Sequence, residues 1–161
     1  MDIFEQVEKQ IKAKGLKIDS FDFNRPWGGF FAIDEEQAQA FANEYFDNLD
    51  VESLRVSGKL SPKILVVKPN TRLSWQYHHR RAETWRVIEG PVGIVRSFDD
   101  SEGDIIHFTV GEKIVLKQGE RHRLVGLNKW GVVAEFWQHT DAKNPSNEDD
   151  IVRVEDDYNR S

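Results

Sequence analysis

Cysteine is absent from all 161 residues. That removes disulfides, thiolate metal sites and a cysteine nucleophile together, and leaves His, Asp, Glu and amide oxygens as the available metal ligands. Long apolar runs are missing as well. No segment approaches the ~20 residues of a membrane-spanning helix, and the charged start M-D-I-F-E-Q-V-E-K-Q lacks the apolar stretch of a signal peptide. The expectation is a cytoplasmic protein with no membrane role, a location that the missing cysteines permit. Nor is there a surplus of positive charge. The formal net charge is -6, which argues against general nucleic-acid binding, where phosphates demand a basic surface.

What is present is enough apolar residue, 39% of the chain, to bury one core without staples, so a single domain over residues 1–161 is expected. Ile3, Phe4, Val7 and Ile11 recur at helical spacing before Gly15 and predict a short helix over residues 2–14. Residues 25–34 look extended. Ala38, Phe41, Ala42, Tyr45 and Phe46 form one stripe and predict a second helix over residues 35–47. From residue 63 to 139 the texture changes to β-branched and aromatic runs cut by turn signals. About eight strands, as a sandwich or small barrel, are predicted there, with S-E-G-D at 101–104 as a hairpin turn. The domain therefore divides into an N-terminal helical and extended segment (1–62), a strand-rich core (63–140) and a polar tail (141–161) closing a pocket.

The densest chemistry lies in W-Q-Y-H-H-R-R-A-E-T-W at residues 75–85. On a strand, Gln76 and His78 would share one face while Trp75, Tyr77 and His79 take the other. Glu83, past the next bend, can swing toward His78, and His122 follows the turn residue Gly119. Gln76, His78, Glu83 and His122 together offer two imidazoles and two oxygens, a set suited to zinc, manganese, cobalt or ferrous iron. The bland alternative is a polar, solvated strand face. Arg72, Arg80, Arg81, Arg86, Arg121 and Arg123 lie near these histidines in sequence, so a local cationic pocket for a small anion is expected inside an acidic protein. His79 has a suitable intrinsic pKa for a general base, but strand alternation turns it away. His107 and His139 read as structural.

The run L-S-W-Q-Y-H-H-R-R-A-E-T-W followed by G-E-x-x-x-L-x-x-G-x-x-H-R-L resembles the two conserved segments of a cupin. More narrowly, R-P-W-G at 25–28, residues 73–85, and E-D-D-I-V-R-V-E-D-D-Y-N-R at 148–160 resemble the type II mannose-6-phosphate isomerase family, in its order. That resemblance, which covers residues 25–160, implies an all-β jelly-roll β-barrel; with it go the short N-terminal helical extension read from spacing and a C-terminal helix. It implies a divalent metal, zinc first and manganese, cobalt or magnesium next, held by Gln76, His78, Glu83 and His122. Arg25, Arg81, Arg153 and Arg160 are implied as substrate-binding, and Arg81, Glu83, Arg153 and Arg160 as catalytic. The chain departs from the family pattern at Trp75, Lys117 and Gly126, and in an insertion over residues 35–60.

The implied activity is metal-dependent aldose-ketose isomerisation of mannose 6-phosphate and fructose 6-phosphate by enediolate proton transfer, with Arg81 beside the metal. Guanylyl transfer, carried by a preceding domain in many family members, is not expected because no glycine-rich nucleotide loop is present. A non-catalytic cupin binding an anionic sugar is the main alternative. A metal oxygenase is disfavoured by Gln76, where a histidine would be expected. A C-terminal helix beginning at Glu148, Asp149 and Asp150 would set Arg153 and Arg160 on one face, two turns apart. An extended segment would separate them. A sugar phosphate is thus the expected partner, and a homodimer the expected assembly.

Overall fold

A computed structural model describes residues 2–53, 59–140, 143 and 146–157. The first helix, α1 (Ile3–Ala13), starts at Asp2, whose carboxylate accepts from the Glu5 amide at 2.9 Å, satisfying one of the free N–H groups of the first turn. Strands β1 (Ile18–Arg25) and β2 (Gly28–Ile33) follow, and then a short 3-10 turn (Glu35–Gln37) leads into α2 (Ala38–Tyr45). All eight strands expected between residues 63 and 139 are present: β3 (Lys63–Val67), β4 (Trp75–Tyr77), β5 (Arg81–Glu89), β6 (Val92–Ser97), β7 (Ile106–Phe108), β8 (Lys113–Leu116), β9 (Arg121–Gly126) and β10 (Gly131–His139). One more strand, β11 (Val152–Glu155), comes after them.

These strands form two antiparallel sheets facing one another as a jelly-roll, not closed into a barrel. The larger sheet runs β1-β2-β3-β10-β5-β8 and the smaller β11-β4-β9-β6-β7. Period-two alternation assigns each strand an inner and an outer face. On β3, Leu65 and Val67 enter the core between the sheets with Trp85, Val87, Ile94, Leu124 and Val133, whereas Ile64 and Val66 point outward. The outward set does not meet water. With Val132, Ala134 and Phe136 of β10 it is covered by α1, α2 and the described part of the 35–60 insertion, Phe41 and Phe46 lying 5.0 and 4.9 Å from the Phe136 ring. The described part of the insertion therefore covers the back of the larger sheet, and burying such rings contributes about 1.5–3 kcal/mol each.

Three expectations change. Residues 152–155 are a strand, not a helix, because β11 pairs with β4, Arg153 opposite Gln76. Alternating Val152 and Val154 suit an edge pairing as well as a helix, so local pattern did not decide between them. Residues 101–104 are not a tight hairpin turn. β6 and β7 do pair antiparallel, but through the longer connection 98–105. Finally, the extended stretch 25–34 is the last residue of β1, a turn at R-P-W-G where Arg25 pairs with Gly28, and then β2. Gly28 has φ +138°, and a Cβ there would lie 2.0 Å from the Val66 carbonyl oxygen, so only glycine fits this turn. Among the described residues, no helix is long and apolar enough to cross a membrane.

Candidate metal centre and pocket

His78, Glu83 and His122 converge between the two sheets. One ligand atom from each lies within 4.8 Å of the other two, and all three residues are buried. Glu83 comes from the inner face of β5 and His122 from β9, and Gln76 of β4 sits directly opposite His122 in the register. His78 follows β4 in a non-strand loop, which frees its side chain from strict alternation. Gly119, at φ +75°, makes the turn that feeds β9, a conformation glycine adopts without strain.

Hydrogen bonding orients the cluster. The His78 Nδ1–H donates to the Asp150 carbonyl at 2.6 Å and the His122 Nδ1–H to the Glu120 carbonyl at 3.1 Å. With each Nδ1 carrying the proton, both Nε2 lone pairs are left facing Glu83 Oε1, at 3.7 and 3.2 Å. That oxygen is buried without a hydrogen-bond partner. Three inward-facing acceptors in a dry site repel one another unless a cation sits among them, so the residues present fit a divalent ion. Gln76 reaches the same cluster, its amide nitrogen 3.4 Å from His122 Nε2 while its oxygen accepts from Ser74 at 2.6 Å. A half-turn of the amide would offer the oxygen instead.

Electrostatics agree with a cation-binding site. Burial pushes the His78 imidazole down to about 4, keeping it neutral as metal ligation requires. Burial works to raise the Glu83 carboxyl, yet the Arg81 cation and the adjoining His78 and His122 rings outweigh it and hold it below the ordinary carboxylate range.

Arg81 begins β5 two residues before Glu83 and shares its face. Its Nε donates to Glu83 Oε2 at 3.1 Å, Nη1 donates to Ser146 Oγ and the Asn147 carbonyl, and Nη2 lies 3.4 Å from His78 Nε2. The guanidinium also stacks 3.6 Å over the Trp137 ring. It is committed to holding Glu83 and the chain at 146–147. Arg25 and Arg153 both line the pocket beside the cluster, a small cavity of about 120 Å³ that opens to solvent. Arg160 lies outside the described residues. His79 is exposed, its ring packed edge-on against Tyr77 away from the cluster. His139 is buried between the Ser146 amide and the Lys59 carbonyl, a structural role, and His107 lies exposed on β7.

Three pocket residues were missed from sequence. Glu135 and Trp137 follow Val133 on the inner face of β10, and Lys63 precedes Leu65 on the inner face of β3. A charge at an inward strand position was the readable signal. Glu135 is buried, each oxygen accepting from an indole: Trp85 at 2.8 Å and Trp137 at 3.1 Å. Burial, and next the charge of Glu83, push its carboxyl up to about 7.

The acidic run 148–150 also has a different task from capping a helix. Asp150 is buried and accepts from the His79 and Arg80 amides at 2.9 and 3.0 Å and from Ser146 Oγ at 2.6 Å. It buckles the tail onto the loop that carries His78. Burial opposes its ionisation, but these bonds prevail and hold its carboxyl below the usual range. The buckle's contribution is therefore complete above the ordinary carboxylate pKa and is lost as pH falls through the depressed value. Asp150→Ala should cost about 1–3 kcal/mol for each buried donor left unmatched, read as a lower midpoint in denaturant. A midpoint within error of the parent would remove the buckle from the account.

The sequence pattern of the mannose-6-phosphate isomerase C-terminal family matches residues 34–156. This chain belongs to that family. Its relatives include the xanthan biosynthesis protein XanB of Xanthomonas campestris pv. campestris, 28% identical over 159 residues, covering 98% of this chain and 28% of the relative. The alginate biosynthesis protein AlgA of Pseudomonas aeruginosa is 28% identical, covering 98% of this chain and 27% of AlgA. The mannose-1-phosphate guanylyltransferase of Escherichia coli is 28% identical over 97% of this chain and 27% of its own length. The chain thus spans just over a quarter of these relatives. In three dimensions it is similar to the capsular polysaccharide assembling protein CapF of Staphylococcus aureus, with TM-score 0.54, 16% identity and coverage of 87% and 34%. KdgF of Halomonas gives TM-score 0.53, 11% identity and coverage of 81% and 89%. Both likenesses speak to the fold alone.

Proposed function

We propose that this family member isomerises a sugar phosphate, interconverting mannose 6-phosphate and fructose 6-phosphate, with a divalent metal, zinc first, held by His78, Glu83, His122 and Gln76. The observation that carries this reading is the unpartnered Glu83 oxygen facing two oriented imidazole nitrogens at the floor of a cation-lined pocket. A divalent ion held there supplies Lewis-acid polarisation of a carbonyl oxygen.

The chain's own residues would do the rest. Arg81 fixes the Glu83 carboxylate by a 3.1 Å hydrogen bond. The indoles of Trp85 and Trp137, with Trp27 and Leu73, line the pocket and exclude water, which strengthens electrostatic interactions inside it. Glu135 is the pocket carboxyl suited to take a proton from one carbon of the sugar and return it to the next. It is buried, fixed by two indole donors, and displaced toward neutral pH. Arg25 and Arg153, on two different sheets, would contact the substrate from opposite walls.

Turnover tests the reading. Protein reconstituted separately with zinc, manganese, cobalt and magnesium should form fructose 6-phosphate from mannose 6-phosphate with at least one metal. Absence of product with every metal, across a panel of aldose phosphates, would overturn it. The second reading, a cupin that binds an anionic sugar without turnover, draws support from the bonds of Arg81 Nε and Nη1 to protein acceptors. It predicts thermal stabilisation by sugar phosphates without product.

A further inference from the structure

We propose that Lys63, with Arg25 beside the same Phe30 ring, is the clamp that holds the ligand's phosphomonoester at the pocket mouth, apart from the His78–Glu83–His122 cluster. The clamp rests on the sugar-phosphate reading for its ligand, but not on isomerase turnover.

Lys63 opens β3 at an inward position, opposite Ala32 of β2 and Glu135 of β10. A lysine there would ordinarily snorkel to solvent. Instead its side chain is only 13% exposed, and its ammonium lies 5.2 Å from the Phe30 centroid and 4.9 Å from that of Trp137. Two aromatic faces fix the cation where it lines the pocket. The Arg25 guanidinium sits 5.6 Å from the same Phe30 ring, at the end of β1 beside the R-P-W-G turn. Two cations gathered around one ring raise each other's energy unless an anion lies near both.

The anions now serving them are easily exchanged. Lys63 Nζ meets Glu148 at 2.6 Å and Arg25 Nε meets Asp22 at 3.1 Å, but the Glu148 side chain is 74% exposed and that of Asp22 38%. The Arg25–Asp22 pair, exposed on both sides, contributes about 0–1 kcal/mol, and Glu148 reaches Lys63 from solvent. An ammonium has three donors, and a phosphate offers more acceptors and more charge than either carboxylate. Arg81, by contrast, already spends its donors on Glu83, Ser146 and Asn147. The division of labour follows: Arg81 holds the protein, and Lys63 with Arg25 holds the ligand's anion.

Inorganic phosphate is the probe, titrated calorimetrically into the metal-loaded full chain and two variants. Lys63→Met keeps the aliphatic stem over the rings and should weaken phosphate binding roughly ten- to hundredfold, the worth of one charge-assisted hydrogen bond. Glu148→Gln removes the competitor and should tighten binding severalfold. Both variants should retain the parent's metal affinity by chelator competition. Phosphate affinity unchanged in either variant overturns the clamp, and so does a Lys63→Met protein that loses metal and phosphate together. If Lys63→Met fails to fold, Glu148→Gln decides alone. If the parent binds phosphate through Lys63 yet isomerises nothing, the isomerase reading falls and the clamp stands. If it isomerises with KM unaffected by Lys63→Met, the clamp falls and the isomerase stands.

Discussion

Replacing Glu83 by glutamine should reduce divalent-metal affinity by more than about a hundredfold, beyond the 10–100-fold expected for residues that only orient ligands. The substitution preserves shape and removes the charge. Glu83 Oε1 is the atom both imidazole nitrogens face, and Oε2 is the acceptor for Arg81 Nε. Two effects therefore coincide. The cluster loses its only carboxylate among the described His, Asp and Glu groups that converge there, so an incoming cation is no longer neutralised. Arg81, itself buried, loses its anionic partner, and breaking a buried pair from one side costs about 3–5 kcal/mol. Unfolding curves with and without metal separate the two. The parent should gain about 2.7 kcal/mol when the metal is at a hundred times its Kd. Glu83→Gln should start lower and gain almost nothing. A variant that remains metal-stabilised to the same degree would mean that the ion is held by other groups, and the proposed chemistry would lose its foundation.

Much of this site could be read before any coordinates, because its pieces lie in short segments with rigid geometry. Gln76, His78 and Glu83 fall within eight positions around one bend, and the Gly119 turn aims His122 back at them. His79 does lie outside, but in the bend after β4 and not on the strand whose alternation was used to place it. Period-two alternation would have revealed Glu135, had the run V-V-A-E-F-W been taken as a strand with one apolar and one mixed face. Elements set by long-range pairing were less legible. Nothing local in I-V-R-V-E forces an edge strand over a helix. The decision comes from β4, 75 to 80 residues earlier, which offers backbone partners to residues 152–155. The same pairing makes Asp150 a buckle. Its three donors come from His79, Arg80 and Ser146, two of them far away in sequence. The outer layer behaved similarly. α2 was visible as a stripe, but its packing against Phe136 on the back of the sheet depends on which face of β10 is already buried from the other side.

Glutamine at position 135 should lower kcat by about 10²–10⁴ while leaving KM and metal affinity near the parent's, the range expected when a positioned proton carrier is lost. The reasoning is geometric first. Glu135 lines the same pocket as the metal cluster, and its two indole donors fix both oxygens without supplying a counter-charge. Burial is the larger cause of its raised pKa and the charge of Glu83 the smaller, so much of the displacement survives when a cation offsets Glu83. A second readout needs no turnover. In the metal-free parent, a carboxyl at about 7 folded against 4.5 unfolded keeps its proton in the native state while the unfolded chain has released it. Native protein then binds more protons, and stability falls as pH rises from about 4.5 to 7. Glu135→Gln cannot titrate. Relative to the parent it should therefore gain up to about 3 kcal/mol across that window, on top of a constant offset because the amide NH2 that replaces one oxygen cannot accept from the indole facing it. Equal pH slopes for the two proteins would show that Glu135 ionises normally, and a kcat within a few-fold of the parent would take the proton transfer away from it.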